Sequence, residues 1–166
     1  MRRVVVTGIG LITPLGQGTE ISWENIKAGK SGAGRITTFD ATGFGCEVAC
    51  EVPRIDGRGG GGPDVPGSFD PMGTMAPKEQ RKVDPFIVFA MAAASRAIAD
   101  AGVEPKTAYD AERTGVLIGS GIGGVGTIYE ASVTLHEKGP RRVSPFFVPG
   151  RIINMASGNV SIRFGL

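Results

Sequence analysis

The sequence predicts an α/β layered domain with a mainly parallel sheet, and three observations carry the prediction. Apolar or β-branched runs at Val4 to Thr7 and Thr114 to Ser120 read as strands. Apolar residues at helical spacing fill the long segments between and after them, and glycine or proline punctuates the junctions.

Taken in order, Val4 to Thr7 is β-branched and unbroken, the pattern of a strand buried on both faces. Thr19 is a good N-cap for a first helix running through Ile21, Trp23 and Ile26 to Gly29. Gly45 to Val52 alternates Cys46, Val48, Cys50 and Val52 against Glu47, Ala49 and Glu51, which predicts a half-buried strand with the first set inward. Gly57 to Pro77 is rich in glycine and proline with almost nothing to pack, and is expected as a mobile surface loop. Asp84-Pro85 starts a helix, with Asp as N-cap and Pro at N1; Phe86, Ile87, Ala90, Met91, Ala94 and Ile98 make it nearly buried up to a stop at Gly102. Thr114 to Ser120 gives the next strand, Val125 to Lys138 a helix stopped by Gly139-Pro140, and Arg151 to Phe164 a last helix capped by Gly165.

The 166 residues suffice for one hydrophobic core, and 41% hydrophobic with 20% charged residues excludes global disorder. A net charge of +2 is too small for a general nucleic-acid binder, so charged partners must be read locally. Glycine supplies 27 of the residues, more than twice the usual share of about 7%, which points to tight turns and close backbone approach. The basic and apolar start, Met1 to Val6, imitates a signal peptide, but Thr7, Gly8, Gly10 and Pro14 break it, and no apolar run reaches the roughly 20 residues of a membrane span.

Cys46 and Cys50 are the two cysteines, set about 13 Å apart in an extended strand, twice the Cα separation a disulfide spans. With one histidine, His136, they make a poor zinc site; no metal and no cofactor is expected, and free thiols fit a reducing cytoplasm. The turn after the first strand has Gly8 and Gly10 but Thr13 where a dinucleotide fingerprint needs glycine, so it reads as a plain tight turn. Lys78, Arg81 and Lys82 form one basic cluster and Arg141 with Arg142 another; most such clusters are solvated surface, but together they would attract a phosphate or an acidic protein. Gly119 to Gly124, between a strand and a helix, suits close backbone approach, and Ser120 has no histidine near it for a nucleophilic triad.

Four motifs in order carry a resemblance: Arg3 to Gly10, Lys78 to Asp84, Gly119 to Gly124, and Ser144 to Pro149 followed by Asn154-Met155 and Phe164-Gly165-Leu166. They resemble the N-terminal part of bacterial β-ketoacyl-acyl carrier protein synthase II over Arg3 to Leu166, with Gly57 to Ala76 departing as an insertion. The resemblance implies a thiolase-like fold of layered αβαβα type, of which residues 1–166 cover most of the first half, and homodimerisation through that half's sheet edge. It implies a decarboxylative Claisen condensation in fatty acid biosynthesis: a cysteine thiolate takes the acyl chain from acyl carrier protein, and histidines stabilise the enolate formed from malonyl carrier protein. That cysteine, two histidines and a lysine fall beyond Leu166, so no catalytic residue is expected in this chain, and the chain alone is expected to be inactive. Residue by residue, the resemblance gives Ile122 as the gate of the acyl pocket, Phe147 as a wall of the partner subunit's pocket, and Lys78, Arg81, Lys82, Arg141 and Arg142 as carrier-protein contacts. Other readings of the same chain are a noncatalytic carrier-binding or dimerisation module, and a polyketide ketosynthase or its cysteine-lacking chain-length partner.

Overall fold

A computed structural model of the chain describes residues 2–103 and 111–166. They divide into two compact units, one of residues 1–70 with 95–101 and the other of residues 71–94 with 102–166.

The first unit opens on a hairpin, β1 (Ile12–Thr13) against β2 (Gly16–Gln17), antiparallel with Thr13 opposite Gly16. The turn expected at Gly8 and Gly10 is not assigned there; the tight turn lies at Pro14-Leu15, inside this hairpin. Helix α1 (Thr19–Lys27) follows. Its N-cap is Gly18, not Thr19, which is the first helical residue and turns its hydroxyl to the Ile9 carbonyl at 3.2 Å. Ser22 is fully buried beneath the hairpin, its Oγ within 3.2 Å of the Gly16 carbonyl and 3.1 Å of Thr13 Oγ1. Asn25 closes the same corner by donating to the Leu15 carbonyl at 2.7 Å. Gly8 lies where a Cβ would come within 2.2 Å of the Ala97 carbonyl oxygen, so this contact admits no side chain.

A second ladder pairs β3 (Gly34–Arg35) with β4 (Val48–Ala49), again antiparallel. The inward face of the expected strand is reversed: Cys46, Val48 and Cys50 are exposed, and Glu47, Ala49 and Glu51 are the partly covered set. Polar bonding decides it. Glu47 reaches Arg35 at 3.2 Å, and the Glu51 carboxylate accepts from the backbone and hydroxyls of Thr37 and Thr38, which pins that face against residues 35–38. Both cysteines are free.

The Gly57 to Pro77 segment, expected as a mobile loop with little to pack, supplies two core residues instead. Phe69, 1% exposed, forms a parallel bridge with Arg54 and donates its N–H to the Pro53 carbonyl at 2.7 Å; Met75 is buried in the second unit. A single aromatic ring among glycines is enough to anchor such a segment, because a buried Phe removes 150 Å² or more of surface from water, as is typical for aromatics.

In the second unit, a short helix α2 (Pro77–Gln80) precedes α3 (Pro85–Asp100), whose last turn and a half belongs to the first unit. α3 starts where the sequence places it, with the Asp84 carboxylate accepting the Phe86 N–H at 3.2 Å. Ile87, Val88, Met91 and Ala92 are its buried stripe. Helix α4 (Val125–Lys138) has the predicted bounds, and α5 (Met155–Phe164) begins four residues later than expected because residues 151–154 are turns. Gly165 caps α5 in the left-handed region at φ 69°. Ala156 and Val160 of α5 join the α3 residues in the unit's core.

Two expected strands do not form, and no mainly parallel sheet is present among the described residues. Val4, Val5 and Val6 are 93, 68 and 80% exposed, and Leu117 in the 114–120 segment is 99% exposed. A parallel strand exists only through partners reached by long crossover connections, whereas both ladders here are antiparallel pairs of strands consecutive in the chain. β-propensity without a neighbouring strand leaves an extended, solvated chain.

Candidate functional site

All seven residues singled out by the resemblance lie in the second unit, and the site is built from three short segments converging on Asp84. The first is the basic turn. Pro77 opens α2 at N1, Gln80 folds back to donate to the Met75 carbonyl at 2.6 Å, and the helix ends at Arg81, leaving Lys78 and Arg81 exposed. Lys82 is half-buried, with Nζ 4.9 Å above the Phe146 ring, a cation–π contact.

Asp84 is 8% exposed and carries more than a cap. Its N–H donates to the Gly150 carbonyl at 2.9 Å, and Oδ2 accepts the Thr127 hydroxyl at 2.8 Å. That hydroxyl is also 3.1 Å from the Gly124 carbonyl, so the Asp84 carboxylate fixes the starts of α3 and α4 while its backbone N–H holds the 144–150 turn. The sequence marks Asp84 as an N-cap, but its bonds to residues 43 and 66 positions away leave no local signal.

The glycine loop is the second segment. Gly123 has φ +88°, and a Cβ there would sit 2.6 Å from the Arg151 carbonyl oxygen; Gly124 donates to the same oxygen at 3.0 Å. Glycine is required on both counts. Ile122, on the outer side of this loop, is 73% exposed. The third segment is the 144–151 turn. Ser144 accepts from the Phe146 and Phe147 N–H groups, and the Phe146 carbonyl accepts both the Gly150 N–H at 3.0 Å and Arg151 Nη1 at 2.8 Å. Phe147 is half-buried, with the Arg151 guanidinium carbon 5.8 Å from its ring centre.

Arg141 and Arg142 are exposed on a turn of 3₁₀ helix directly after Gly139. No described contact joins them to Lys78, Arg81 or Lys82, so the structure brings Lys82 to Phe146 without uniting the two clusters. A cleft of about 450 Å³ opens beside Lys82, lined also by Glu79, Met75, Met91, Asn159 and Arg163. Arg163, which donates to the Thr74 carbonyl at 3.0 Å, adds a cation to this neighbourhood that the sequence reading did not single out. His136 is exposed on α4, and no nucleophile is seen paired with a base among the described residues.

A second charged cluster belongs to the first unit. Burial pushes the Glu51 carboxyl up, but the hydrogen bonds from Thr37 and Thr38 and the charge of Arg58 outweigh it and hold it below the usual range. Asp56 is held low chiefly by its bond to Arg58, at 2.5 Å. Every one of these carboxylates is spoken for by a loop, which makes the cluster a clasp for residues 37–59.

Comparison with known proteins identifies the family. Residues 1–166 match the family described as β-ketoacyl synthase, N-terminal domain. The chain is 53% identical over 166 residues to 3-oxoacyl-[acyl-carrier-protein] synthase 2 of Rhizobium meliloti, covering 100% of this chain and 38% of that protein. It is 45% identical over 165 residues to the protein of the same name from Coxiella burnetii, covering 99% of this chain and 36% of that one. The chain thus spans little more than a third of the length of the curated relatives it matches. Among solved structures, a β-ketoacyl synthase from Burkholderia phymatum superposes with a TM-score of 0.72 at 28% identity, covering 100% of this chain and 38% of that one. A type II polyketide ketosynthase, solved with its acyl carrier protein, gives 0.71 at 20% identity over 99% of this chain and 39% of that one, a likeness of fold alone. The fold is that of the thiolase-like ketosynthases, and by its match over residues 1–166 the chain belongs to the β-ketoacyl synthase family, as its N-terminal domain.

Proposed function

We propose that this chain is the N-terminal part of a 3-oxoacyl-acyl carrier protein synthase that elongates acyl chains by decarboxylative condensation with malonyl carrier protein in fatty acid biosynthesis. The observation that carries the reading is the match over the whole chain to synthases of that name, at up to 53% identity. In this reading Lys78, Arg81 and Lys82, with Arg141 and Arg142 on their separate turn, meet the acidic carrier protein, Ile122 gates the acyl pocket and Phe147 lines that of a partner subunit in a homodimer. In this reading the positions matched by residues 1–166 contribute recognition and shape to the synthase. Exposed free thiols at Cys46 and Cys50 favour a reducing, cytoplasmic setting. The polyketide reading has the weaker support, since its structural relatives share 20 to 27% identity with this chain.

The test is a chimera in which residues 1–166 replace the matching segment of the Rhizobium meliloti relative. It is expected to condense acyl and malonyl carrier proteins, and reversing Arg81 and Lys82 to Glu is expected to raise KM for the carrier protein far more than it lowers kcat. An inactive but folded chimera overturns the synthase reading; an unchanged KM removes the basic turn from the carrier interface.

A further inference from the structure

We propose that Arg151 is a positioning residue, its backbone carbonyl seating the loop that bears Ile122 and its side chain holding Phe147, and that it thereby sets which acyl lengths the synthase accepts; the specificity half of this rests on the function proposed above. Two independent contacts meet at this residue. Its backbone carbonyl accepts the Gly124 N–H at 3.0 Å and leaves no room for a Cβ on Gly123, which would approach to 2.6 Å, so the loop bearing Ile122 is seated on Arg151. Its side chain turns the other way: Nη1 donates to the Phe146 carbonyl at 2.8 Å, and the guanidinium lies 5.8 Å from the centre of the Phe147 ring.

The remaining geometry argues against an ordinary surface arginine. Nε is buried without a hydrogen-bond partner, and no carboxylate pairs with Arg151 among the described ion pairs. With no carboxylate beside it the guanidinium is not held by a salt bridge, and its unpaired buried donor works against folding. What the position uses is a planar group that can lie against an aromatic ring while donating in its own plane, which arginine supplies and lysine does not. The arrangement also links two pockets. The resemblance sets Ile122 at the gate of its own subunit's pocket and Phe147 in the wall of the partner's, so a shift at Arg151 bears on both.

Two measurements test it. In the chimera, Arg151→Ala is expected to change the ratio of kcat/KM for long over short acyl carrier proteins roughly tenfold, leaving KM for malonyl carrier protein unchanged, with Arg151→Lys between the two. Equal loss at every length overturns the specificity claim. In the same chimera, NMR of Arg151→Ala is expected to move the Phe147 ring resonances while the Gly124 amide, bonded to the retained backbone carbonyl, stays in place. Unmoved Phe147 resonances overturn the clamp. Should Arg151→Ala fail to fold, Arg151→Lys is read the same way in both measurements. A wild-type chimera without activity overturns the synthase reading and the specificity claim with it, while the NMR measurement still decides the clamp.

Discussion

Asp84 shows how much a single carboxylate holds in this chain. Truncating it removes the cap of α3, worth about 0.5–2 kcal/mol, and takes from the Thr127 hydroxyl its carboxylate acceptor, a charge-assisted bond worth roughly 1.5–3 kcal/mol, leaving only the Gly124 carbonyl. Asp84→Ala is therefore expected to lose about 2–4 kcal/mol in urea unfolding followed by circular dichroism, whereas Asp84→Asn, which still accepts the Phe86 N–H, recovers most of it. A loss equal to that of an ordinary cap would show that the bond to Thr127 adds nothing. Glu51 makes a separate prediction in pH. Its carboxyl is held below the usual range when folded, so its contribution is full above its ordinary pKa and is lost as pH falls through that range toward the folded value. Stability should decline on acidification, and Glu51→Gln should flatten the part of the decline due to this group. A mutant with the same acid profile as the parent would take Glu51 out of the account.

Val48 separates two readings of the strand that bears it. By alternation it belongs to the inner face, and replacing it with Lys would then bury a charge; in the structure it is 55% exposed, so Val48→Lys is expected to stay within about 0.5 kcal/mol of the parent. A loss of several kcal/mol in the same urea titration would restore the alternation reading. The error has a cause. Alternation reports which face is apolar, but Glu47 and Glu51 found hydroxyl, amide and guanidinium partners on the other face, and satisfied polar groups can outbid two cysteines and a valine for cover. Helices are more legible: α4 has the bounds that Gly124 and Gly139-Pro140 imply, and α3 begins at Pro85, directly after Asp84, because caps and stops act within a turn. Strands 4–7 and 114–120 are not, since a strand needs partners that its own residues do not encode. The site divides the same way. The basic turn and the glycine loop stand out in sequence, while Arg151 does not, because its importance lies in Gly124, Phe146 and Phe147 meeting it in space.

At the scale of the molecule, the distribution of apolar surface sets behaviour in solution. Val4 to Val6 form a β-branched run, at least 68% exposed at each residue and outside any ladder, so their backbone donors and acceptors stand open alongside their side chains. Leu117 at 99%, Ile162 at 79% and Ile122 at 73% are exposed as well. A run with high β-propensity, no charge and an unpaired backbone is a template for pairing with another chain, and scattered large apolar residues add surface that water disfavours. The isolated chain is expected to self-associate in light scattering at micromolar concentration and to bind a hydrophobic dye under native conditions. Replacing Val5 with Lys, on a segment that makes no ladder, should reduce association without lowering the unfolding midpoint, which separates edge pairing from general instability. The chimera with the relative's remaining sequence should bind less dye per chain than the 166 residues alone if that sequence covers these surfaces. A monodisperse monomer with no dye binding would mean that the exposed valines are covered in solution, and would return residues 4–7 to the buried strand that their sequence predicts.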